Sequence, residues 1–471
     1  MTQIDGWEMV IGLEVHSELA TQTKLFCGCP NLFGDEPNTN VCPVCLGLPG
    51  SLPVLNEKAV ELAIRLGLAL HCTVERGVFA RKNYFYPDMP KDFQVTQYDL
   101  PTNADGHLDL PNGKRIGVER AHIEEDTGKS THVGGDGRIH GADYSLVDYN
   151  RAGIPLVEIV SRPDLRSADD AKDYVNELRS ILLATNVSDA KMEEGSMRVD
   201  ANVSVRRAGD DQLGTRCEIK NLNSVRSLVH AIDHEAARQV ELIGRGERVH
   251  QETRHWDEAA GLTRSGRSKE QAEDYRYFPE PDLVPLEPDA DYVTRIADAM
   301  PLLPSDRRAR LAGVSNGSQG AVTIAVARGL DELAIAAIEA GGDPGRVLTH
   351  IEHNLAVDGA ADIDPKGLAK LTLLDLTATQ AKTVLAELVE TGGDPEAIAK
   401  AKGFEAMDAS ALDASVDAAI AAEPDVWAKY VAGDDKAVGR LVGTVMKATN
   451  GQADGKAVTV KLMERRAASG G

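Results

Sequence analysis

Apolar and polar residues alternate with a period of two in the first part of the chain. Every second residue from Met197 to Val205 is apolar, and the residues between them are polar or charged. The segments Val10–His16 and Thr215–Lys220 show a similar alternation. Because successive side chains of a strand point to opposite faces, the pattern predicts strands with one apolar and one polar face. Such strands are typical of an antiparallel sheet.

Helical spacing replaces this alternation elsewhere. Apolar residues recur at helical intervals after Ser167 and after Ser224, and serine is a favourable residue at a helix start. From 291 to 402 the chain is rich in Ala, Leu and Val with helical spacing, and Gly-Gly-Asp-Pro at 341–344 and 392–395 predicts turns there. The fold class is therefore predicted to be α+β. The predicted domains are a mixed domain at 1–290, a helical domain at 291–402 and a small helical tail domain at 403–471.

Length and composition narrow the class of protein. The 471 residues are too many for one compact core. The first residues lack a basic start followed by an apolar run, and no stretch reaches the roughly 18 apolar residues of a membrane helix. We expect a soluble, cytoplasmic protein that has no membrane partner.

Charge is distributed unevenly along the chain. The net charge of -23 excludes a surface that binds nucleic acid over its whole extent, because phosphate binding needs clustered cations. Between Lys436 and Arg466, however, seven Lys or Arg stand against two acidic residues. Lys436, Arg440 and Lys447 are therefore our candidate RNA contacts.

Four of the six cysteines are crowded into one loop. Cys27 and Cys29 are followed by Cys42 and Cys45, with several Gly and Pro residues around them. Two close pairs of thiols can complete a tetrahedron around zinc, and a site with four Cys ligands leaves no open position for water. We predict a structural zinc knuckle; four free buried thiols are the alternative.

Carboxylates and one imidazole form a second candidate site. Glu14 and His16 share the polar side of a predicted strand, and Glu124 and Glu125 belong to an acidic run. Oxygen ligands suit a magnesium ion that keeps several waters. A solvated acidic face is the alternative, although Glu14 follows an apolar stretch in which an unpaired carboxylate would be costly.

Aromatic and basic residues are interleaved in two segments of a chain with few aromatic residues. The segments are Arg81–Gln94 and Tyr275–Asp282. Such side chains can stack on a base or sugar and hold phosphates, while a packed loop is the alternative. Gly128-Lys129-Ser130 does not complete a phosphate-binding loop, because the required glycine is replaced by Ile123.

Together these segments resemble the B subunits of the bacterial tRNA-dependent amidotransferases. The resemblance runs through the whole chain in the same order, and its motifs are Val10–His16, Leu46–Gly50 after the cysteines, Arg81–Lys91, Glu124–Ser130, Asp200–Ser204, Glu218–Ser224, Asp274–Asp282 and Leu441–Lys447. It implies a catalytic cradle similar to the glutamine synthetase fold in the first domain. It also implies a tail domain that binds tRNA.

The resemblance further implies a reaction and its partners. ATP with magnesium would phosphorylate the side-chain carboxylate of mischarged Glu-tRNA(Gln) or Asp-tRNA(Asn), and ammonia would then attack the acyl phosphate. A glutaminase partner, the A subunit, would supply the ammonia, and a small C subunit would complete a heterotrimer. The sequence does not choose between the two tRNA substrates.

Residue roles follow from the matched motifs as hypotheses. Glu14, His16, Glu124 and Glu125 would hold magnesium. The candidates that would bind phosphates or the substrate carboxylate are Lys82, Lys91, Arg206 and Lys220. Three of these, Lys82, Lys91 and Lys220, are the candidates for binding ATP. The rest of the polar face would consist of Asp200, Asn202 and Glu218. Two other classes stay open: an RNA adaptor without catalysis, and a ligase that acts on a small free carboxylate.

Overall fold

The computed structural model describes residues 6–134, 141–268, 275–404, 409–449, 453 and 455–469. The strands in these ranges are β1 Trp7–Glu18, β2 Thr73–Val74, β3 Val78–Asn83, β4 Phe93–Leu100, β5 Asn103–Asp109, β6 Arg115–Glu125, β7 Lys129–Val133, β8 Tyr144–Asp148, β9 Pro155–Ser161, β10 Met197–Arg207, β11 Cys217–Leu222, β12 Glu252–Asp257, β13 Leu262–Ser268 and β14 Phe278–Pro279. The helices are α1 Glu57–Ala69, α2 Ala168–Ala184, α3 Val225–Gly244, α4 Ala290–Asp298, α5 Pro304–Ser315, α6 Gln319–Ala327, α7 Asp331–Glu339, α8 Pro344–His353, α9 Pro365–Leu373, α10 Ala378–Thr391, α11 Pro395–Ala401, α12 Ala409–Ala422, α13 Pro424–Val431, α14 Val438–Ala448 and α15 Gly455–Ser469.

Twelve of the strands form one sheet. Its order is β13-β12-β11-β10-β1-β9-β6-β4-β3-β14, with β5 paired to β6 and β2 paired to β5. The pair β11 and β12 is parallel, and the other pairs recorded in this sheet are antiparallel. The strands β7 and β8 form a separate hairpin. Strands and helices do not alternate regularly, and helices follow the sheet, so the predicted α+β class is confirmed.

The alternation in the sequence decides which face of the sheet is covered. Met197, Val199, Ala201, Val203 and Val205 of β10 are all buried, as the pattern predicts. The helices α2 and α3 contribute apolar residues to the same core. The predicted caps are also present: the Ser167 side chain accepts from the backbone N–H of Asp170, and Ser224 accepts from that of Ser227. The other face is thereby left for polar side chains.

Main-chain contacts divide the chain into two compact units, 1–305 and 306–471. The first unit contains the sheet and its core. The second contains two hydrophobic clusters, one between Leu311 and Ala399 and one between Val416 and Leu462. The division into domains at 290 and 402 stays a prediction. In the described ranges, no helix is both long and apolar enough to cross a membrane.

The two Gly-Gly-Asp-Pro segments of the second unit are turns between helices, as predicted. The first lies between α7 and α8, and the second lies between α10 and α11. In each turn the aspartate caps the next helix: Asp343 accepts from the backbone N–H of Arg346, and Asp394 accepts from that of Glu396. The proline takes a first-turn position, where its missing N–H has no intrahelical role.

Candidate functional site

Acidic and imidazole side chains meet where β1, β9 and β6 lie side by side. Glu158 of β9 is in register with His16 on one side and with His122 on the other. The Nε2 atom of His16 lies 3.7 Å from a carboxylate oxygen of Glu124 and 3.7 Å from one of Glu158. One ligand atom from each of His16, Glu124 and Glu158 lies within 4.8 Å of the others. We call these three residues the acidic cluster.

The electrostatics of the acidic cluster favour a bound cation. Burial alone would raise the pKa of Glu124, but contact with His122 and the charges of His16, His122 and Lys82 lower it, so this carboxyl stays ionised. His122 is fully buried, and neither ring nitrogen has a hydrogen-bond partner among the described residues, although Nε2 lies 3.4 Å from Glu158. Two carboxylates with an imidazole are a donor set that a divalent ion such as magnesium can use, with water completing its shell.

The acidic surface continues across β1 to β10 and β11. The amide of Asn202 donates to the Glu14 carboxylate at 2.9 Å, and Asp200 is in register with Glu14. Burial and the neighbouring Glu158 raise the pKa of Glu14. Lys220 lies 3.1 Å from Asp200 and 3.1 Å from Glu218, so it neutralises part of this surface. Glu14, Asp200, Asn202, Glu218 and Lys220 thus share one face, as the sequence predicts.

Glu125 does not join Glu124 in the acidic cluster. Successive residues of β6 point to opposite faces, and Glu125 accepts from Lys91 Nζ at 2.5 and 2.7 Å and from the Val95 backbone N–H at 2.8 Å. This ion pair lines a cavity of about 190 Å³ that Arg81 and the cysteine loop also line. Lys91 and Glu125 therefore lie apart from the acidic cluster and beside the cysteine loop.

Two other predicted phosphate ligands differ in their surroundings. Arg206 is paired with Glu8 at 2.6 Å. The charge of Lys82 helps to lower the pKa of Glu124. Among the described residues, no carboxylate lies within 4 Å of the Lys82 ammonium group. Of these two cations, Lys82 is the one with a charge available to a ligand.

The four crowded cysteines converge as predicted. Sulfur atoms of Cys27, Cys29, Cys42 and Cys45 lie within 4.8 Å of one another. Contact with Cys27 lowers the pKa of the Cys45 thiol, and the backbone N–H of Cys42 donates to its sulfur at 3.1 Å. The charge of the buried Lys24 lowers that pKa as well. Four thiol ligands at this spacing fit a tetrahedral zinc ion.

The basic tail residues are only partly available. Lys436, Arg440 and Lys447 are exposed, but Arg440 lies 3.0 Å from Glu423. Three further cations of the tail are also paired, namely Lys461 with Asp413, Arg465 with Asp413 and Asp417, and Arg466 with Asp435. The local excess of positive charge is therefore smaller than the sequence suggests.

Comparison with known proteins decides the family. The family model of the GatB/GatE catalytic domain matches residues 9–294, which is more than half of the chain. The chain belongs to the GatB/GatE family. A second family model, the GatB domain, matches residues 354–465.

Curated relatives of this GatB/GatE chain share one name over nearly its full length. The B subunit of the aspartyl/glutamyl-tRNA(Asn/Gln) amidotransferase of Frankia casuarinae is 51% identical over 98% of this chain and 95% of its own. The proteins of that name from Nocardia farcinica and Salinispora arenicola are 49% and 51% identical over 95% and 99% of this chain and 94% and 98% of their own. The chain is thus a B-type amidotransferase subunit and forms part of an enzyme.

All residues of the acidic cluster lie within the GatB/GatE catalytic domain, and sequence reasoning missed one of them. Glu158 is the one charged residue of the otherwise apolar β9 segment Pro155–Val160, which is a signal that the sequence did contain. His122 lies in the same acidic run as Glu124, but the run alone indicates no role for its imidazole. Both residues are recognised only once the register of β1, β9 and β6 is known.

Proposed function

We propose that this chain binds a misacylated tRNA, phosphorylates the side-chain carboxylate of its aminoacyl group with ATP, and converts the product to an amide. The substrates are Glu-tRNA(Gln), Asp-tRNA(Asn) or both. The observation that carries the proposal is the acidic cluster on the polar face of the catalytic domain of an amidotransferase family. A buried carboxylate and a half-buried one around imidazoles, with a cation beside them, suit phosphoryl transfer and not the plain binding of RNA.

The reaction has two steps that balance. An oxygen of the side-chain carboxylate attacks the γ-phosphorus of ATP, and the bond from that phosphorus to ADP breaks. Ammonia then forms a bond to the acyl carbon, phosphate leaves with the electron pair of the carbon–oxygen bond, and a proton is released. The first step is needed because a carboxylate is a poor acyl donor until its oxygen becomes a good leaving group.

The residues of this chain would divide the work as follows. His16, Glu124 and Glu158 would hold magnesium, with Glu14 beside them. A bound magnesium ion neutralises charge on the transferring phosphoryl group. Lys82, whose charge is available, would bind phosphate or the substrate carboxylate. The polar face beside Glu14 would consist of Asp200, Asn202, Glu218 and Lys220.

The remaining predicted contacts receive smaller roles in the proposal. Lys91 and Arg206 are each already paired with a carboxylate, so we assign them no contact with ATP. Zinc at the four cysteines would stabilise the loop without taking part in the reaction. A glutaminase partner, the A subunit, would deliver ammonia, the C subunit would complete the enzyme, and the tail would bind tRNA through Lys436 and Lys447.

The test is an assay of the complete enzyme with misacylated tRNA, ATP and ammonium chloride. We expect ADP release that depends on the misacylated tRNA, together with formation of the amidated tRNA. His16→Ala and Glu158→Gln should abolish both while glutamine hydrolysis continues. The matched control is Glu241→Gln, because Glu241 is exposed on α3 and pairs only with Arg245 among the described residues. Unchanged turnover in the two cluster variants would remove the acidic cluster from the site.

The same assay separates the two alternative functions. An RNA adaptor would bind the tRNA and release no ADP with any combination of substrates. A ligase for small carboxylates would release ADP with free glutamate in place of tRNA. Either result would contradict the proposed function.

A further inference from the structure

Five tyrosines from three separate segments form a row beside the acidic cluster. Ring centroids are 6.4 Å apart for Tyr86 and Tyr84, 6.3 Å for Tyr84 and Tyr275, and 6.0 Å for Tyr275 and Tyr277. Tyr277 stacks on Tyr98 with centroids 5.4 Å apart and an angle of 13° between the rings. We call these residues the tyrosine row. The fold assembles it from the segment after β3, from β4 and from the segment before β14.

The tyrosine row is open to solvent at both ends. Tyr86 is 43% exposed, and Tyr98 is 45% exposed. Phe85, which precedes Tyr86 in the chain, is 81% exposed. Exposed aromatic rings at both ends of a half-buried row are typical of a binding site, because water solvates aromatic surface poorly. Packing alone therefore explains the inner tyrosines but not the outer ones.

Two cations lie over the rings of the tyrosine row. Lys82 Nζ is 4.9 Å from the ring centroid of Tyr275, and the guanidinium of Arg120 is 4.6 Å from that of Tyr98. Arg120 is also paired with Glu119 at 2.7 Å, so Lys82 is the cation of the two whose charge is available to a phosphate. Lys82 Nζ also lies 5.8 Å from the ring centroid of Tyr84. Surfaces that bind single-stranded nucleic acid combine such aromatic platforms for the bases with cations for the backbone phosphates.

One end of the tyrosine row leads directly to the acidic cluster. The ring of Tyr98 lies edge-on to that of His122, with centroids 6.5 Å apart. His122 in turn lies 3.4 Å from the Glu158 carboxylate. A chain of nucleotides that follows the row would therefore bring its end to the proposed site of phosphoryl transfer.

The dimensions of the row favour a nucleic-acid strand over a single nucleotide. Five rings, each 5.4 to 6.4 Å from the next, offer more aromatic surface than one base can cover. ATP would also bring the concentrated negative charge of a triphosphate to a surface with two cations. A nucleic-acid strand brings one negative charge for each nucleotide. The 3′ end of a tRNA is single-stranded and carries the amino acid, so it has both required properties.

We propose that the tyrosine row binds the single-stranded 3′ end of the misacylated tRNA and directs its amino acid to the acidic cluster. This inference rests on the proposed function, because it assigns a place to the substrate of that reaction. The tyrosine rings contact the faces of the terminal bases, so the bases are bound by stacking and without sequence-specific hydrogen bonds.

The experiment measures tRNA binding and ATP use separately in the complete enzyme. Tyr98→Leu and Tyr277→Leu remove a stacking ring, and Tyr98→Phe and Tyr277→Phe keep it; neither hydroxyl makes a hydrogen bond to a described residue. We expect each leucine variant to raise the Kd for misacylated tRNA about tenfold to hundredfold, and each phenylalanine variant to bind normally. The KM for ATP should stay unchanged.

Three controls keep the result interpretable. Tyr144→Leu removes a tyrosine that is 57% exposed on β8, outside the row, and should leave tRNA binding unchanged. A tRNA that lacks its terminal nucleotides should bind the natural enzyme less tightly. Its Kd should be the same for the natural enzyme and for Tyr98→Leu. Thermal unfolding of Tyr98→Leu should match that of the natural protein, because the residue is half exposed.

Three outcomes would overturn the inference. A raised KM for ATP with unchanged tRNA binding would assign the row to the nucleotide. Unchanged tRNA binding and unchanged KM would leave the row a packing element. Normal binding of the shortened tRNA would place the 3′ end elsewhere. Because Kd is measured without ATP, a failure of the proposed catalysis would appear separately, as missing ADP release in the natural enzyme.

Discussion

The ion pair of Lys91 and Glu125 gives the most direct test of the structure. The Lys91 side chain is 10% exposed and that of Glu125 is 2% exposed, and the carboxylate also accepts from the Val95 N–H at 2.8 Å. Glu125→Gln would leave a buried ammonium group without its counter-charge. Breaking one side of a buried ion pair costs about 3–5 kcal/mol. The adjacent cavity can admit water to Lys91, so we expect about 3 kcal/mol, at the lower end.

Denaturant unfolding of four proteins measures this cost. The set is the natural protein, Glu125→Gln, Lys91→Met and the double variant. Each single variant should lower the free energy of unfolding, and the double variant should recover part of the loss because no uncompensated charge remains. Lys58→Met is the matched control, since the side chain of Lys58 is 50% exposed in its pair with Glu61 and should change the free energy of unfolding by at most about 1 kcal/mol. Additive losses in the double variant would show that Lys91 and Glu125 are not coupled, which would refute the pairing.

Three further predictions concern other parts of the chain. Cys45→Ser should lower the zinc content, measured by elemental analysis, from about one ion per chain, and unchanged zinc would exclude the cysteine site. Glu235→Gln should lower the free energy of unfolding by about 3 kcal/mol at pH 7, because the fully buried carboxylate lies 3.2 Å from the buried Arg254. Burial alone would raise the pKa of Glu235, but hydrogen bonds and charges of its neighbours lower it below 4.5. The contribution of the Glu235 carboxylate to the free energy of unfolding is therefore present above that pH and lost in acid. The free energies of unfolding of the natural protein and Glu235→Gln should thus converge as the pH is lowered. Neutralising Lys436 and Lys447 should weaken tRNA binding and reduce the slope of log K against log salt by up to about 2, whereas an unchanged slope would place the contact elsewhere.

Sequence reasoning succeeded where local rules decide the structure. The period of two in β10 predicts its buried face, and the serines before α2 and α3 predict where these helices begin. The two Gly-Gly-Asp-Pro segments predict inter-helix turns in the second unit. Each of these features depends on residues a few positions apart, so one sequence contains the information.

Strand register was beyond such reasoning. His16 and Glu158 are far apart in the chain, and only the pairing of β1 with β9 places them opposite each other. The tyrosine row has the same origin, because Tyr98 meets Tyr277 through the packing of distant segments. Periodicity states which face a side chain occupies, but it does not state which strand lies beside it.

The strand β6 explains why one expectation for the candidate site needs revision. Adjacent carboxylates at 124 and 125 invite a shared ion, yet the pleat of β6 directs them to opposite faces of the sheet. Glu124 belongs to the acidic cluster, and Glu125 to the ion pair with Lys91 beside the cysteine loop. In the proposed function Glu124 holds magnesium, whereas Glu125 pairs with Lys91 on the opposite face of the same strand. Each variant changes one face of the sheet only. We therefore expect Glu125→Gln to lower the free energy of unfolding, and Glu158→Gln to keep its stability but lose turnover.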